Sequence, residues 1–153
     1  LPKNVETQEG LAVFSEYMGG ALTLKRLKEL AYRVMASDSL IKGYSFADTF
    51  DLIYGKYKLN REEAFAITLR AHRGGGFTKD RLYLSGLRKI YKRYRREENM
   101  DVLLSGKVAL EYEKELNYCR SKGLWEPIVH KTHAFAQKRN TNTTLDFILN
   151  HLK

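Results

Sequence analysis

Apolar residues recur along this chain at helical spacing, and no stretch alternates apolar with polar residues between turn signals, so the pattern predicts an all-α protein. Gly10 to Phe14 is apolar or glycine throughout. A helix from about Val5 to Met18 would therefore be hydrophobic nearly all round, as a core helix is, and Gly19-Gly20 would end it. Thr23 is expected to cap a second helix to about Ser37, with Leu24, Leu27, Ala31, Val34 and Met35 on its apolar stripe. Ser45-Phe46-Ala47-Asp48 reads as a capping-box start for a short helix to about Tyr54, with Phe46, Phe50 and Ile53 inward. Asn60-Arg61-Glu62-Glu63 starts another, to about Arg73, with Phe65, Leu69 and His72 on one side, thickened by Ala64, Ile67 and Ala71, and Gly74-Gly75-Gly76 closing it.

Thr78 is then expected to cap a helix from Lys79 to about Glu97, in which Tyr83, Leu87, Ile90, Tyr91 and Tyr94 form one stripe. Its opposite side carries Arg81, Arg88, Lys92, Arg95 and Arg96. Two further helices are predicted, near Val108 to Lys122 ending at Gly123, and from about Thr143 to Leu152 capped by Asn142. The 127–141 stretch gives no single reading.

With 153 residues and 43% hydrophobic composition, the chain is long enough for one domain with a sizeable core. No run reaches the ~18 apolar residues of a membrane-spanning helix, so no membrane partner is expected. Cys119 has no second cysteine to pair with, which fits a reducing compartment and places the protein in the cytoplasm. The chain opens on Leu1-Pro2-Lys3-Asn4 rather than on Met, and is read as part of a longer protein. Its net charge of +9 is uneven: residues 1–76 carry 11 basic against 9 acidic residues, and residues 77–153 carry 16 against 9. The second half has the field that draws polyanions, whether nucleic acid, anionic lipid or an acidic protein tail.

Three stretches carry candidate chemistry. Glu9 heads the apolar run on the same face as Ala12 and Val13, and a carboxylate there must be paired, hydrogen-bonded, protonated or bound to a cation; a first-turn acid favoured by the helix dipole is the plainer reading. The stretch His72 to Tyr83 leads three glycines into a helix N-terminus with Arg73, Lys79 and Arg81 nearby, an arrangement suited to a phosphate or a carboxylate, though it lacks the P-loop spacing. The basic, tyrosine-bearing 79–96 helix could grip single-stranded nucleic acid, although its tyrosines fall on the apolar stripe. Of the four histidines, only His130 and His133 have a spacing that puts two rings on one helical face, and no acid lies between them.

Gln8-Glu9-Gly10-Leu11-Ala12, Phe46, Arg70-Ala71-His72-Arg73-Gly74-Gly75 and Phe77-Thr78-Lys79-Asp80-Arg81-Leu82-Tyr83-Leu84-Ser85-Gly86 together resemble the C-terminal part of the flavohaemoglobin expression-modulating QEGLA-motif proteins. That family includes the microtubule-associated tyrosine carboxypeptidases. The resemblance implies the helical C-terminal portion of a gluzincin-like zinc metallopeptidase, carboxypeptidase-like in activity, forming one domain over residues 1–153. A HExxxH helix supplies two histidine ligands and the catalytic glutamate in such proteins. That helix is expected upstream of Leu1, in the remaining N-terminal part of the same protein, so this chain alone is expected to be inactive. By motif position Glu9 would be the third zinc ligand, with Glu16 supporting it from the same helix. Arg73 and Lys79 are candidates to hold a substrate's terminal carboxylate, and Tyr83 to donate a hydrogen bond to the oxyanion. The expected substrate is a peptide or protein, with an acidic C-terminal tail suiting the basic second half. A non-catalytic basic helical module binding nucleic acid or another polyanion is the alternative.

Overall fold

The computed structural model describes residues 3–73, 77–126, 128–136 and 142–152. Among them there are helices and connecting turns and no strands, as the periodicity requires. The order is α1 (Asn4–Met18), α2 (Leu24–Ile41), α3 (Phe46–Asp51) running into a π turn (Leu52–Lys56), α4 (Arg61–His72), α5 (Phe77–Arg95), α6 (Asp101–Leu104), a 3-10 turn (Leu110–Tyr112), α7 (Glu113–Ser121), α8 (His133–Ala136) and α9 (Thr143–Asn150). No helix among the described residues is long and apolar enough to cross a membrane. The chain divides into two compact units, residues 1–24 with 85–153 and residues 25–84, so that α5 contributes to both.

The first unit is built around α1 and the part of α5 from Ser85 on. Leu11, Val13, Phe14, Tyr17 and Met18 are buried on α1, while Ala12 is exposed, so the helix has one wet edge rather than being apolar all round. Gly20, at φ 75°, takes the left-handed conformation that ends the helix. The amides of Ala21 and Leu22 then return to the Glu16 carbonyl at 2.8 and 2.9 Å. Leu87, Ile90 and Tyr91 are buried on α5 as its stripe predicts, and Tyr94 is half-buried. The rings of Phe14, Tyr17, Tyr91, Tyr94 and Phe135 form a continuous aromatic core, with Phe14 and Tyr94 centroids 5.3 Å apart and Tyr17 edge-on to Tyr91 at 5.7 Å. Offset and edge-to-face pairs such as these add ~0.5–1.5 kcal/mol each beyond their buried area.

Two hydroxyls in that core meet one acid. Tyr17 donates to Asp146 of α9, and Tyr91 donates to the same carboxylate oxygen at 3.0 Å. Burial and then the Asp146 carboxylate raise both phenols, Tyr91 to about 12. α9 is capped as expected, Asn142 accepting from the Leu145 amide at 3.0 Å.

The second unit holds α2, α3, the π turn and α4. Ser45 and Asp48 form the expected reciprocal capping box, and Asn60 accepts from the Glu63 amide at 2.8 Å. The facing of α2 and α4 differs from expectation. On α2 the buried residues are Leu27, Leu30, Ala36, Ser37 and Ser39, and Leu24 is exposed. On α4 they are Ala64, Ile67, Thr68 and Ala71, while Phe65 and Leu69 are exposed. Ser37, Ser39 and Thr68 can be buried because each hydroxyl bonds a carbonyl one turn back, at 2.9, 3.0 and 2.8 Å. Ala36, Ile67 and Ala71 make a small core with Tyr32 and Leu59 against it.

Elsewhere the helices are shorter than expected or begin at other residues. α5 starts at Phe77, so Thr78 lies within it rather than capping it, and Gly74-Gly75-Gly76 lie outside the described residues. The helix expected from Val108 becomes a 3-10 turn followed by α7. α6 was not foreseen, because four residues are too few to show a period; it buries Val102 and Leu103.

Candidate functional site

Glu9 occupies the middle of α1, between Gln8 and Gly10, and is half-buried. What fixes it is the glycine beside it. At Gly10 and Gly86 the backbones of α1 and α5 touch: a Cβ on Gly10 would lie 2.7 Å from the Gly86 Cα, and one on Gly86 would lie 2.8 Å from the Gly10 Cα. Real Cβ atoms do not approach backbone so closely, so only glycine permits this crossing.

Side chains around the crossing fasten it. Glu6 pairs with Lys89 of α5. Burial raises the Glu6 carboxyl, but the hydrogen bonds from Lys89 and Ser85 outweigh that and hold it below the ordinary carboxylate range. Thr7, fully buried, accepts the Leu110 amide at 2.9 Å, and Gln8 donates to the Gly106 carbonyl at 3.2 Å. The segment Glu6-Thr7-Gln8-Glu9-Gly10 is thereby tied to α5 and to the 106–110 turn, which leaves little freedom in where Glu9 stands. Glu16 is half-buried on the same helix, two turns on, about 10 Å along the axis. At that separation it can steady Glu9 through intervening groups and does not share an ion with it.

Arg73, Lys79 and Tyr83 belong to the second unit. Arg73 ends α4, exposed, its amide bonded to the Leu69 carbonyl at 2.9 Å. Lys79 and Tyr83 stand one turn apart on α5, both half-buried. Close to them is a contact that the sequence did not single out: Arg70 donates from Nε to both oxygens of Asp80, at 2.9 and 3.1 Å, with Asp80 only 3% exposed. This pair staples the last turn of α4 to the first turn of α5 on either side of the 74–76 stretch. An acid in a helix first turn ten residues after an arginine was the available signal. His72, on the face of α4 next to Arg73, shares a 3.0 Å hydrogen bond with the buried Thr49 and packs edge-on against Phe46.

The described residues do not by themselves make up a zinc site. Among the described residues no three His, Cys, Asp or Glu side chains gather where a metal ion could be held. His72 is committed to Thr49, His151 lies 2.7 Å from the Phe147 carbonyl through Nδ1, and His130 and His133 are exposed, with only His133 on a helix. Glu9 is suited to being a single carboxylate ligand, and no reaction step follows from a metal on this chain alone.

The basic side of α5 is partly spoken for. Arg88 donates to the Leu152 carbonyl at 2.9 Å and Arg96 pairs with Glu98, while Lys92 and Arg95 are exposed; on the flank of the helix Lys89 pairs with Glu6 and Arg93 with Glu98 and Glu113. Tyr91 is buried and has no face for a base to stack on.

Neither a search of curated proteins nor a search of solved structures found a match. A family model described as microtubule-associated tyrosine carboxypeptidase matches residues 1–153, the whole chain. The α1 motif around Glu9 and the α4–α5 motif from Arg70 to Gly86 thus sit within a match that leaves no residue out, and the chain belongs to the microtubule-associated tyrosine carboxypeptidase family.

Proposed function

We propose that the chain is part of a zinc-dependent, gluzincin-like carboxypeptidase, to which it contributes Glu9 as the carboxylate metal ligand and Arg73, Lys79 and Tyr83 as substrate-binding groups. The two histidine ligands and the general base stand on a HExxxH helix outside this sequence, so the chain by itself is inactive. Family membership supports the carboxypeptidase class. The observation that carries the assignment of Glu9 is the glycine crossing beside it, which holds the α1 backbone against α5 at the residue next to the carboxylate. A ligand needs that kind of immobility, since a metal site tolerates little displacement of its donors.

The zinc ion, when bound, supplies Lewis-acid activation of water. The work of this chain's other residues is recognition. An exopeptidase must grip the free carboxylate at the end of its substrate, and a guanidinium or ammonium does so by charge-assisted hydrogen bonds. Arg73 is exposed for the purpose, and Lys79 lies at the start of the next helix. Tyr83, one turn on, donates to the substrate carbonyl oxygen as negative charge develops there. The Arg70–Asp80 staple keeps the two helix ends bearing Arg73 and Lys79 in register. The substrate is a peptide or protein, an acidic C-terminal tail suits the net positive charge of the second half, and the setting is cytoplasmic.

The test uses the complete protein and two forms of one peptide, with a free and with an amidated C-terminus. Arg73→Ala or Lys79→Ala should raise KM about 10- to 100-fold for the free acid, the worth of a charge-assisted hydrogen bond, and much less for the amide. Equal effects on both substrates would remove these residues from carboxylate recognition. The nucleic-acid alternative is favoured if the complete protein binds no zinc and binds DNA or RNA with a steep loss of affinity in salt. The engagement of Arg88 and Arg96 by protein acceptors and the burial of Tyr91 argue against it.

A further inference from the structure

The second unit has a cleft of about 540 Å³ between α3 and α4, walled by Phe46, Phe50 and Phe65 with Asp51, Arg61 and Glu62 around its mouth. Its aromatic wall is not a leftover of poor packing. α4 completes its core with Ala64, Ile67, Thr68 and Ala71, and Phe65 stands on the other side of the helix, 49% exposed. The Phe65 and Phe46 rings nonetheless form an edge-to-face pair at 5.6 Å, and Phe50 stacks on Tyr54 at 5.5 Å, itself exposed. Two ring pairs therefore face water, each ordered by its own contact.

The charges at the mouth say what belongs there. Asp51 and Glu62 are both exposed, and neither is held in an ion pair with another described side chain. The α4 dipole accounts for Glu62 in the first turn. Asp51 lies where α3 continues into the π turn, and no helix end accounts for it. Two carboxylates and one guanidinium, Arg61, line the cleft, on a chain whose net charge is +9. An anionic occupant would be repelled by the pair, and an apolar one would strip them of water without replacing it. A cation on an aliphatic stem satisfies both parts: the stem lies on the phenyl faces, which attract the cation through their quadrupoles, and the head meets the carboxylates.

We propose that the α3–α4 cleft is a docking site for a lysine or arginine side chain presented by a partner peptide, recognised by the Phe46, Phe50 and Phe65 rings together with the Asp51 and Glu62 carboxylates. The site is independent of the peptidase reading, since it involves none of Glu9, Arg73, Lys79 and Tyr83.

Isothermal titration of the full chain with acetyl-Leu-Lys-Leu-Lys-amide tests it, against the same peptide carrying norleucine or glutamate in place of lysine. The blocked C-terminus keeps any recognition of a terminal carboxylate out of the measurement. The lysine peptide should bind about ten-fold tighter than the norleucine peptide, and the glutamate peptide weakest. Phe65→Ala should weaken binding of both the lysine and norleucine peptides. The double variant Asp51→Asn with Glu62→Gln, which alters only exposed groups and so leaves folding intact, should abolish the preference for lysine. The proposal is overturned if norleucine binds as well as lysine, if glutamate binds best, if the double variant keeps the preference, or if none of the peptides binds saturably.

Discussion

The aromatic core around α1 in the first unit and the α3–α4 cleft of the second use aromatic residues in opposite ways. In the first, Phe14, Tyr17 and Tyr91 are buried, their rings tilted or edge-on to one another and the two hydroxyls anchored on Asp146. In the second, Phe65 and Tyr54 are exposed and Phe46 and Phe50 half-exposed along a cleft, while aliphatic residues such as Leu30, Ile53, Ala64 and Ile67 are buried. The same residue type thus builds a rigid interior in one place and a receptive surface in the other. Around Glu9 the neighbouring residues Glu6, Thr7, Gln8 and Gly10 are fastened, whereas along the α3–α4 cleft apolar groups remain available to a partner.

The contrast is broken most directly at the glycines. Gly86→Ala or Gly10→Ala should destabilise the protein by about 3 kcal/mol or more, because the added Cβ meets backbone that cannot move aside. Gly55→Ala in the second unit, where a Cβ meets nothing within 4 Å, should change stability by less than about 0.5 kcal/mol. Denaturant unfolding measures both, and a mild Gly86→Ala would show that the helices separate easily and that Glu9 is not held as described.

Removing Arg70 leaves the buried Asp80 carboxylate without its partner. Arg70→Ala should cost about 2–3 kcal/mol, below the full value for a buried pair because Arg70 itself is partly exposed. Arg70→Ala with Asp80→Leu should recover part of that loss in the same unfolding assay.

The hydroxyls on Asp146 should matter less, about 1–2 kcal/mol for Tyr91→Phe, but they leave a signature in pH. The folded Tyr91 titrates near 12, above its ordinary value of 10.0. The folded state therefore favours the protonated phenol, and its contribution is complete below the unfolded value and lost as pH rises between the two. Stability should fall with a steeper slope across that interval in the parent than in Tyr91→Phe. Equal slopes would detach Tyr91 from the network. Among the destabilising changes the smallest is Ser45→Ala, which should cost about 1 kcal/mol from loss of the capping box in the same unfolding assay.

The sequence showed the helices better than it showed which way they face. Ser45, Asn60 and Asn142 each cap a helix where their position implies, and Leu87, Ile90 and Tyr91 point inward as their spacing requires. The pattern misled on α2 and α4, because hydroxyls that bond to their own helix, at Ser37, Ser39 and Thr68, become small enough in polarity to be buried, while Phe65 and Leu69 stay out. The motif around Glu9 was visible as a motif, but its physical reason was not. A glycine's role in a crossing depends on a second glycine far along the chain, and no local period announces that Gly10 and Gly86 will meet.

The central claim is that Glu9 is a metal ligand of the complete protein, and elemental analysis of zinc content in Glu9→Gln tests it most directly. The parent should carry about one zinc per chain, as one tripod of protein ligands implies, and the variant should lose most of it while its unfolding midpoint in the metal-free form stays unchanged. Full zinc occupancy in Glu9→Gln would contradict the claim and take Glu9 out of the site.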